Sequence, residues 1–473
     1  MRFHDRIIPL ARRRTAKLAV LTAISVLAGL PGSPDALAAI HEFTLGNGLR
    51  LIVKEDHRSP VVVSQIWYKA GSIDEFNGTT GVAHVLEHMM FKGTRKVPGG
   101  EFSRRIAAAG GRENAFTSRD YTVYFQQLQK SRLPLAMELE ADRMRNLVLT
   151  EEEFSKEIRV VMEERRLRTD DQPRALLYEK MVASALQAHP YRRPVIGWMN
   201  DLENMNVADA RAWYDRWYAP NNAVLVVVGD VDPAQVFALA QKYYGPIKPR
   251  SLLPLGRRKP QAEPPQIGIK RITVKAPAQL PYLVMGYHAP VLRDPAADWE
   301  PYALEMLAGV LDGNESARLN RQLVREQRIA SSASAGYDST GRGPGMFYLN
   351  GIPSEGKTVA DLEAGLRAEV EKLVQEGIAE EELARIKAQI VASEIFQLDS
   401  MSNQAMQIGQ LESIGLSHRD IDTMLKKLQA VTAEQVREVA RKYLQDDGLT
   451  VAVLDPQPLE HKPPFATPPG MRH

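Results

Sequence analysis

The chain has 473 residues, a formal net charge of +2 and no cysteine. At roughly 100–200 residues per domain, that length holds two sizeable cores or more. The near-neutral charge, with no basic run interleaved with aromatics, gives no field for nucleic acid, and the lack of cysteine excludes disulfides, thiolate metal ligands and thiol nucleophiles together.

Taken in chain order, the N-terminus comes first. Arg2, Arg6, Arg12, Arg13, Arg14 and Lys17 form a positive stretch, an apolar run follows from Leu18 to Leu30, and Ala36-Leu37-Ala38 is a small-x-small cleavage site. This reads as a secretory signal peptide over residues 1–38, Sec-type more than twin-arginine, and predicts an exported, periplasmic protein. The run is shorter than the roughly 20 residues of a membrane span. No later stretch is long and apolar enough to cross a membrane, so the mature chain is expected to have no transmembrane span.

The mature chain opens on a hairpin signal, His41 to Leu45 and Leu49 to Val53 around Gly46-Asn47-Gly48, since Asn-Gly favours a tight turn. A strand is predicted from Val61 to Lys69, helices around 80–91, 100–109, 131–146 and 150–168, and another strand from Tyr121 to Leu128. Strands and helices are mixed rather than strictly alternating, which points to an α+β layer fold. Residues 248–265 are rich in proline and basic residues and read as a linker. Beyond it the chain begins again with strand-like Ile267 to Val274 and Tyr282 to Tyr287.

A faint internal repeat spans that linker. Val207 to Tyr218 leads through Asn221-Asn222 into Val224 to Val228 and then Asp230; Thr432 to Tyr443 leads through Asp446-Asp447 into Leu449 to Val453 and then Asp455. The same offset separates both pairs, Tyr218 from Tyr443 and Asp230 from Asp455. The reading is two homologous halves, 39–247 and 266–456, followed by an irregular tail over 457–473.

Gly81 to Phe91 carries the chemistry. Its apolar pattern, free of internal Gly or Pro, suits a helix, on which His84, Glu87 and His88 share one face. Two imidazoles four residues apart can reach one metal ion, with the carboxylate beside them placed to contact a water. This is the H-x-x-E-H arrangement. A zinc site of this kind needs a third protein ligand and an open position. Glu157 and Glu164, seven apart, share a face of the later helix, while Glu163 is rotated by roughly 100° from Glu164. We take Glu164 as the ligand and Glu157 as its companion. Either motif alone also occurs on solvated helices.

Gly81 to Thr94 (GVAHVLEHMMFKGT), Asn114 to Tyr124 (NAFTSRDYTVY) and Glu157 to Glu164 together resemble the pitrilysin-type M16 zinc metallopeptidases, the inverzincin family of insulin-degrading enzyme and the mitochondrial processing peptidase. His189-Pro190-Tyr191 and Arg193 to Gly197 resemble its short bacterial members. The resemblance implies a zinc endopeptidase acting on peptides, one Zn²⁺ per chain, and two α+β halves enclosing a chamber, each a mixed sheet with helices packed on it. It implies Glu87 as general base and Glu157 as a further catalytic residue. It also suggests the segment Asn114 to Thr117 as an edge strand onto which extended substrate adds, with Asn114, Ala115 and Phe116 as substrate-binding residues; from spacing alone, Asn114 is equally a turn residue after Gly110-Gly111.

One departure stands out. Where self-sufficient relatives carry an Arg and then a Tyr in the second half, this chain has Arg325 but Ser331; Tyr337 is displaced and reads as a strand residue. Short members of the family often work as pairs. The expected partner is therefore a homologous subunit that lacks the zinc motif and carries the Arg/Tyr pair, with a homodimer as the alternative. Rival readings are a non-catalytic structural subunit or a peptide-binding chamber. His41, His57, His288, His418, His461 and His473 lack partners at ligand spacing, and His189 reads as support for a turn.

Overall fold

The computed structural model describes residues 39–252 and 261–459. The signal peptide expected at 1–38, the middle of the expected linker (253–260) and residues 460–473 of the expected tail lie outside them.

Six strands build the first sheet: β1 (Ile40–Thr44), β2 (Arg50–Glu55), β3 (Val61–Tyr68), β4 (Arg112–Thr117), β5 (Thr122–Gln129) and β6 (Ala223–Gly229), in the order β1-β2-β6-β3-β5-β4. Its helices are α1 (Val82–Met89), α2 (Glu101–Ala108), α3 (Leu133–Asn146), α4 (Glu151–Arg165), α5 (Pro173–Ala185), α6 (Met199–Asn204), α7 (Val207–Trp217) and α8 (Pro233–Tyr243). The second sheet holds β7 (Lys270–Pro277), β8 (Tyr282–Ala289), β9 (Ala330–Tyr337), β10 (Gly345–Pro353) and β11 (Leu449–Gln457), in the order β7-β11-β8-β10-β9. It is accompanied by α9 (Glu300–Asp312), α10 (Val359–Glu376), α11 (Glu380–Gln397), α12 (Met401–Ile414), α13 (Ile421–Ala430) and α14 (Ala433–Tyr443).

The two sheets share one plan. In the first, β2 runs parallel to β6, and β6, β3, β5 and β4 follow antiparallel. In the second, β7 runs parallel to β11, and β11, β8, β10 and β9 follow antiparallel. Strand β1 is an addition on the edge of the first. The repeat seen in the sequence is thus a repeat of topology: α7 and α14 each lead into the parallel-paired inner strand, β6 and β11.

Each half lends a helix to the other. Strand β6 (AVLVVVG) is buried along its whole length, as a continuous apolar run requires when both faces of a sheet are covered. Leu225 and Val227 face the first core. Val224, Val226 and Val228 face away from it, against Ala405 and Ile408 of α12. Gly409 lets α12 approach, since a Cβ there would lie 2.0 Å from the Trp67 ring. Reciprocally, Leu177, Met181, Val182 and Ala185 of α5 pack on Val284, Ala452 and Leu454 of the second sheet. Burying one such apolar side chain contributes roughly 1.5–3 kcal/mol, so the exchange ties the halves firmly.

Three details differ from expectation. The Asn-Gly turn falls where predicted, but Asn47 is buried and donates to the carbonyls of Tyr244 (2.7 Å) and Ile247 (2.9 Å); its amide anchors the end of α8 as well as turning the chain. Strand β7 starts at Lys270 rather than Ile267, which is 91 % exposed. Pro456 and Gln457 belong to β11, paired with Ala276 and Pro277, so the irregular tail begins later than the prolines suggested.

Candidate metal centre

The eight residues of α1 divide cleanly. Val82, Ala83, Val85, Leu86 and Met89 are buried in the first core, which leaves His84, Glu87 and His88 on the remaining face. The helix start is tightly fixed. Gly81 has φ 88°, and a Cβ there would lie 2.6 Å from the Ile196 carbonyl; only glycine suits that conformation and approach. The Glu75 carboxyl accepts from the N–H groups of Gly81 (2.8 Å) and Ala83 (2.9 Å), and burial pushes its pKa up to about 8. Asp201 accepts from Thr80 N (3.1 Å) and Thr80 Oγ1 (2.6 Å).

The second contributing helix, α4, is capped by Thr150, whose hydroxyl accepts from Glu153 N. It buries Phe154, Ile158, Val161 and Arg165, which leaves Glu157 and Glu164 on the α1 side. The buried Arg165 guanidinium donates to both oxygens of Glu179 (2.8 and 3.0 Å) and to the Gly197 carbonyl (2.8 Å). Gly197 in turn lies against Gly81. One cation therefore braces both helices, and this is the structural use of the Arg193 to Gly197 stretch. A π-helical turn, Arg166–Asp170, continues α4.

Donor atoms from His84, His88 and Glu164 all lie within 4.8 Å of one another. His88 Nε2 stands 3.3 Å and His84 Nε2 3.8 Å from Glu164 Oε2. Tetrahedral zinc with bonds of roughly 2.1 Å spaces its ligand atoms about 3.4 Å apart, so this set fits that ion. His88 Nδ1 meets Glu157 Oε1 at 3.0 Å, and Lys92 holds the other Glu157 oxygen. A carboxylate on the far nitrogen is how metal-binding imidazoles are commonly oriented. Arg168 pairs with Glu164 Oε1, which leaves Oε2 toward the histidines. Glu87 accepts from Thr117 Oγ1 at 2.6 Å.

Electrostatics separate the two imidazoles. Burial, then His88, lowers the His84 pKa to about 4. Burial also pulls on His88, but Glu157 and Glu164 outweigh it and raise its pKa to about 9. Burial raises Glu87 against the Thr117 bond. Glu164 is lowered by its bond to His88. Burial pushes Glu157 up, but its bonds to His88 and Lys92 bring it below the usual range.

These groups line an open cleft of about 960 Å³ together with Phe91, Asn114, Ala115, Phe116, Val160, Leu167 and Arg168. Strand β4 forms one wall and is the edge of its sheet, paired only with β5 among the described strands. Asn114 is exposed there, and its side-chain oxygen accepts from Ala115 N at 2.9 Å. Arg325 does not line this cleft; it lies in the second half, in a π-helical turn, paired with Glu315 at 3.4 Å. Ser331 donates to the Ile352 carbonyl. Tyr337 ends β9, with its hydroxyl donated to the Pro290 carbonyl and its ring stacked on Phe347.

The sequence places Thr117 on the substrate-binding edge strand without a role for its side chain, and points to none for Lys92 or Arg168. Thr117 was legible by period two, on the same side of β4 as Ala115. Lys92 follows His88 by one helical spacing. Arg168 rests on a π turn that no periodicity announces. Of the histidines without partners at ligand spacing, His41 and His57 share Glu55, His57 also meets Asp230, and His418 meets Glu412 and Glu42. Glu55 and Glu412 lie near His57 and His418 in the chain, whereas Asp230 and Glu42 come from distant segments that spacing cannot reveal. His189 does support its turn, accepting from Tyr191 N.

Known proteins fit this arrangement. Residues 50–198 match the family described as insulinase (Peptidase family M16), and residues 204–390 match the peptidase M16 inactive domain. A Helicobacter pylori protein named zinc protease PqqE is 33 % identical over 422 residues, covering 87 % of this chain and 92 % of that protein. An uncharacterized zinc protease of Streptomyces coelicolor is 28 % identical, covering 86 % of this chain and 88 % of that one. The crystal structure of a protease from Helicobacter pylori superposes with a TM-score of 0.83 at 30 % identity, covering 89 % of this chain and all of that one. The periplasmic protease PqqL from Escherichia coli shares the fold at 20 % identity, with a TM-score of 0.76 over 91 % of this chain and 48 % of that one. Two family models matched in sequence order, and a relative one-third identical over nearly its full length, place this chain in peptidase family M16.

Proposed function

We propose that the protein is an exported zinc endopeptidase that hydrolyses peptides or small unfolded polypeptides laid along β4. The observation that carries this reading is the convergence of His84, His88 and Glu164 within 4.8 Å, with Glu87 on the same helix face. The relatives named zinc proteases support it. His84, His88 and Glu164 would hold one zinc ion, which supplies Lewis acidity toward a scissile carbonyl and an acidified water.

The chain's own residues do the rest. Glu87 takes the proton of the attacking water and delivers it to the leaving amine. Glu157 fixes the His88 ring by its Nδ1 contact. Asn114, Ala115 and Phe116 receive the substrate backbone as an added strand, a mode in which main-chain pairing gives affinity with broad sequence tolerance. In this reading residues 39–247 form the metal-bearing half, 266–456 the half without metal, and 248–265 the linker. Residues 1–38 are the signal peptide, and the mature chain works in the periplasm.

A paired assembly is favoured by Ser331 and Arg325. Ser331 is bonded to a backbone carbonyl and Arg325 pairs with Glu315 outside the cleft, so the donors that pre-organise an oxyanion come from a homologous subunit lacking the zinc motif. The test is hydrolysis of an unstructured peptide of about 10–20 residues by the zinc-loaded mature chain, alone and with such a subunit, and with Glu87→Gln as control. Activity that needs the second subunit and vanishes in the variant supports the reading. Full activity from the single chain discards the pairing and keeps the peptidase; an active Glu87→Gln overturns the mechanism.

A further inference from the structure

We propose that Thr117 is a positioning residue for Glu87, fixing one carboxylate oxygen so that the other is presented to the water. The proposal rests on the peptidase reading above and adds a residue to it.

A carboxylate that takes a proton from water and hands it to an amine must keep one oxygen free and aimed. The terminal torsion of a glutamate is broad and roughly two-fold, so an unheld side chain exchanges its oxygens and wanders in angle. In this protein Glu87 Oε2 accepts from Thr117 Oγ1 at 2.6 Å. Among the bonds that Glu87 makes, this one comes from outside its own helix. The donor is stiff on three counts. Threonine is β-branched and has few side-chain rotamers. Thr117 is the last residue of β4, held in register opposite Thr122 of β5. Thr122 is itself anchored, its hydroxyl donating to the Ala70 carbonyl at 3.0 Å. Thr117 lines the cleft beside Asn114, Ala115 and Phe116, so the strand that receives substrate is also the strand that aims the base.

The second half repeats the pair without the metal set: Ser339 donates its hydroxyl to Glu305 of α9. There Tyr302 and Met306 stand in place of the imidazoles, and the bond partly offsets the burial that raises the carboxyl's pKa. If that were the whole role of Thr117, its loss would lower stability and leave the turnover of the folded enzyme intact. A misplacement on the order of 1 Å at a reacting group costs up to about 100-fold in rate, so kinetics separate the two roles.

The experiment uses the zinc-loaded mature chain, with its partner subunit if activity requires one, and an unstructured peptide of about 10–20 residues. Thr117→Val keeps the shape and removes the donor; Thr117→Ser restores it; zinc content and thermal midpoint are recorded for each. We expect Thr117→Val to lose about 10–100-fold in kcat with KM and zinc content unchanged, and Thr117→Ser to stay close to the parent. If Thr117→Val does not fold, Thr117→Ala against Thr117→Ser decides the point in the same way. A Thr117→Val kcat equal to the parent's, a loss confined to KM, or equal losses in the Val and Ser variants would overturn the proposal. Glu87→Gln in parallel keeps two failures apart: if it is active the base assignment itself falls, whereas an inactive Glu87→Gln beside a fully active Thr117→Val removes only the role of Thr117.

Discussion

The two halves set the same helix in the same place and use it differently. Helix α1 stands between β3 and β4, and α9 between β8 and β9. Both carry a Leu-Glu pair, Leu86-Glu87 and Leu304-Glu305, and both glutamates accept a hydroxyl from the neighbourhood of the following edge strand. The positions around that pair diverge. His84 and His88 are only partly covered and line an open cleft. At the same spacing the second half has Tyr302 and Met306, both buried in its core. Opposite them, α4 supplies Glu157 and Glu164. One backbone plan thus yields a candidate metal centre or a packed core according to a few side chains on one helix face. Function lies in the site rather than in the fold.

The sharpest way to break the comparison is to neutralise both glutamates separately. Glu87→Gln should cost about 10²–10⁴-fold in kcat, the usual scale for a lost general base, with zinc retained. Glu305→Gln should leave peptide hydrolysis close to the parent, because burial already raises that carboxyl to about 7 and an amide mimics its protonated form. Comparable losses in both variants would remove the asymmetry.

The next effect is on stability. Arg165 is buried with Glu179 and ties α4 to the loop beside Gly81. Arg165→Met strands that carboxylate and should cost about 3–5 kcal/mol, read from denaturant unfolding. A smaller strain is expected at the start of α1. Gly81→Ala must hold a side chain at φ 88° against the Ile196 carbonyl, a cost of about 1–3 kcal/mol. Gly336→Ala in β9 meets nothing within 4 Å and should be near neutral by the same measurement.

The two imidazoles also differ in their response to pH. Glu157 and Glu164 raise the His88 pKa to about 9 against burial, while burial and then His88 lower that of His84 to about 4. Zinc held by His88 would displace its proton, so affinity is expected to rise with pH, by up to about tenfold per unit, below about pH 9. Competition with a chelator at three pH values between 6 and 8 reads this slope; a flat profile would mean that the proton is not on His88.

Much of this was legible in the sequence, and what was not has a physical reason. Local periodicity is enough to set His84, Glu87 and His88 on one face, because five of the eight α1 residues are apolar and buried. Glu157 and Glu164 follow from the seven-residue spacing. The linker composition and the Tyr218/Tyr443 offset point to two halves. Spacing does not show that α5 and α12 cross to the other sheet, because neither carries a clear apolar stripe: α5 buries Glu179 beside Leu177 and Met181, and α12 buries Gln404, Glu412 and Ser413 beside Ala405 and Ile408. Nor does it show that Asn47 reaches Tyr244, that Glu55 gathers two histidines, or that Arg325 falls outside the cleft. Those facts depend on which distant segments meet, and neither helix nor strand period carries that information. The role of Tyr337 as a strand residue was readable, since β9 runs through it.

On the proposed reading, the first half alone forms the metal centre. Zinc content of the purified mature chain, measured beside His84→Ala and Glu164→Gln, tests it most directly. One equivalent per chain, falling to none in both variants and unchanged in Glu305→Gln, is the predicted result. Zinc retained after either first-half substitution, or no zinc in the folded parent chain, would contradict it.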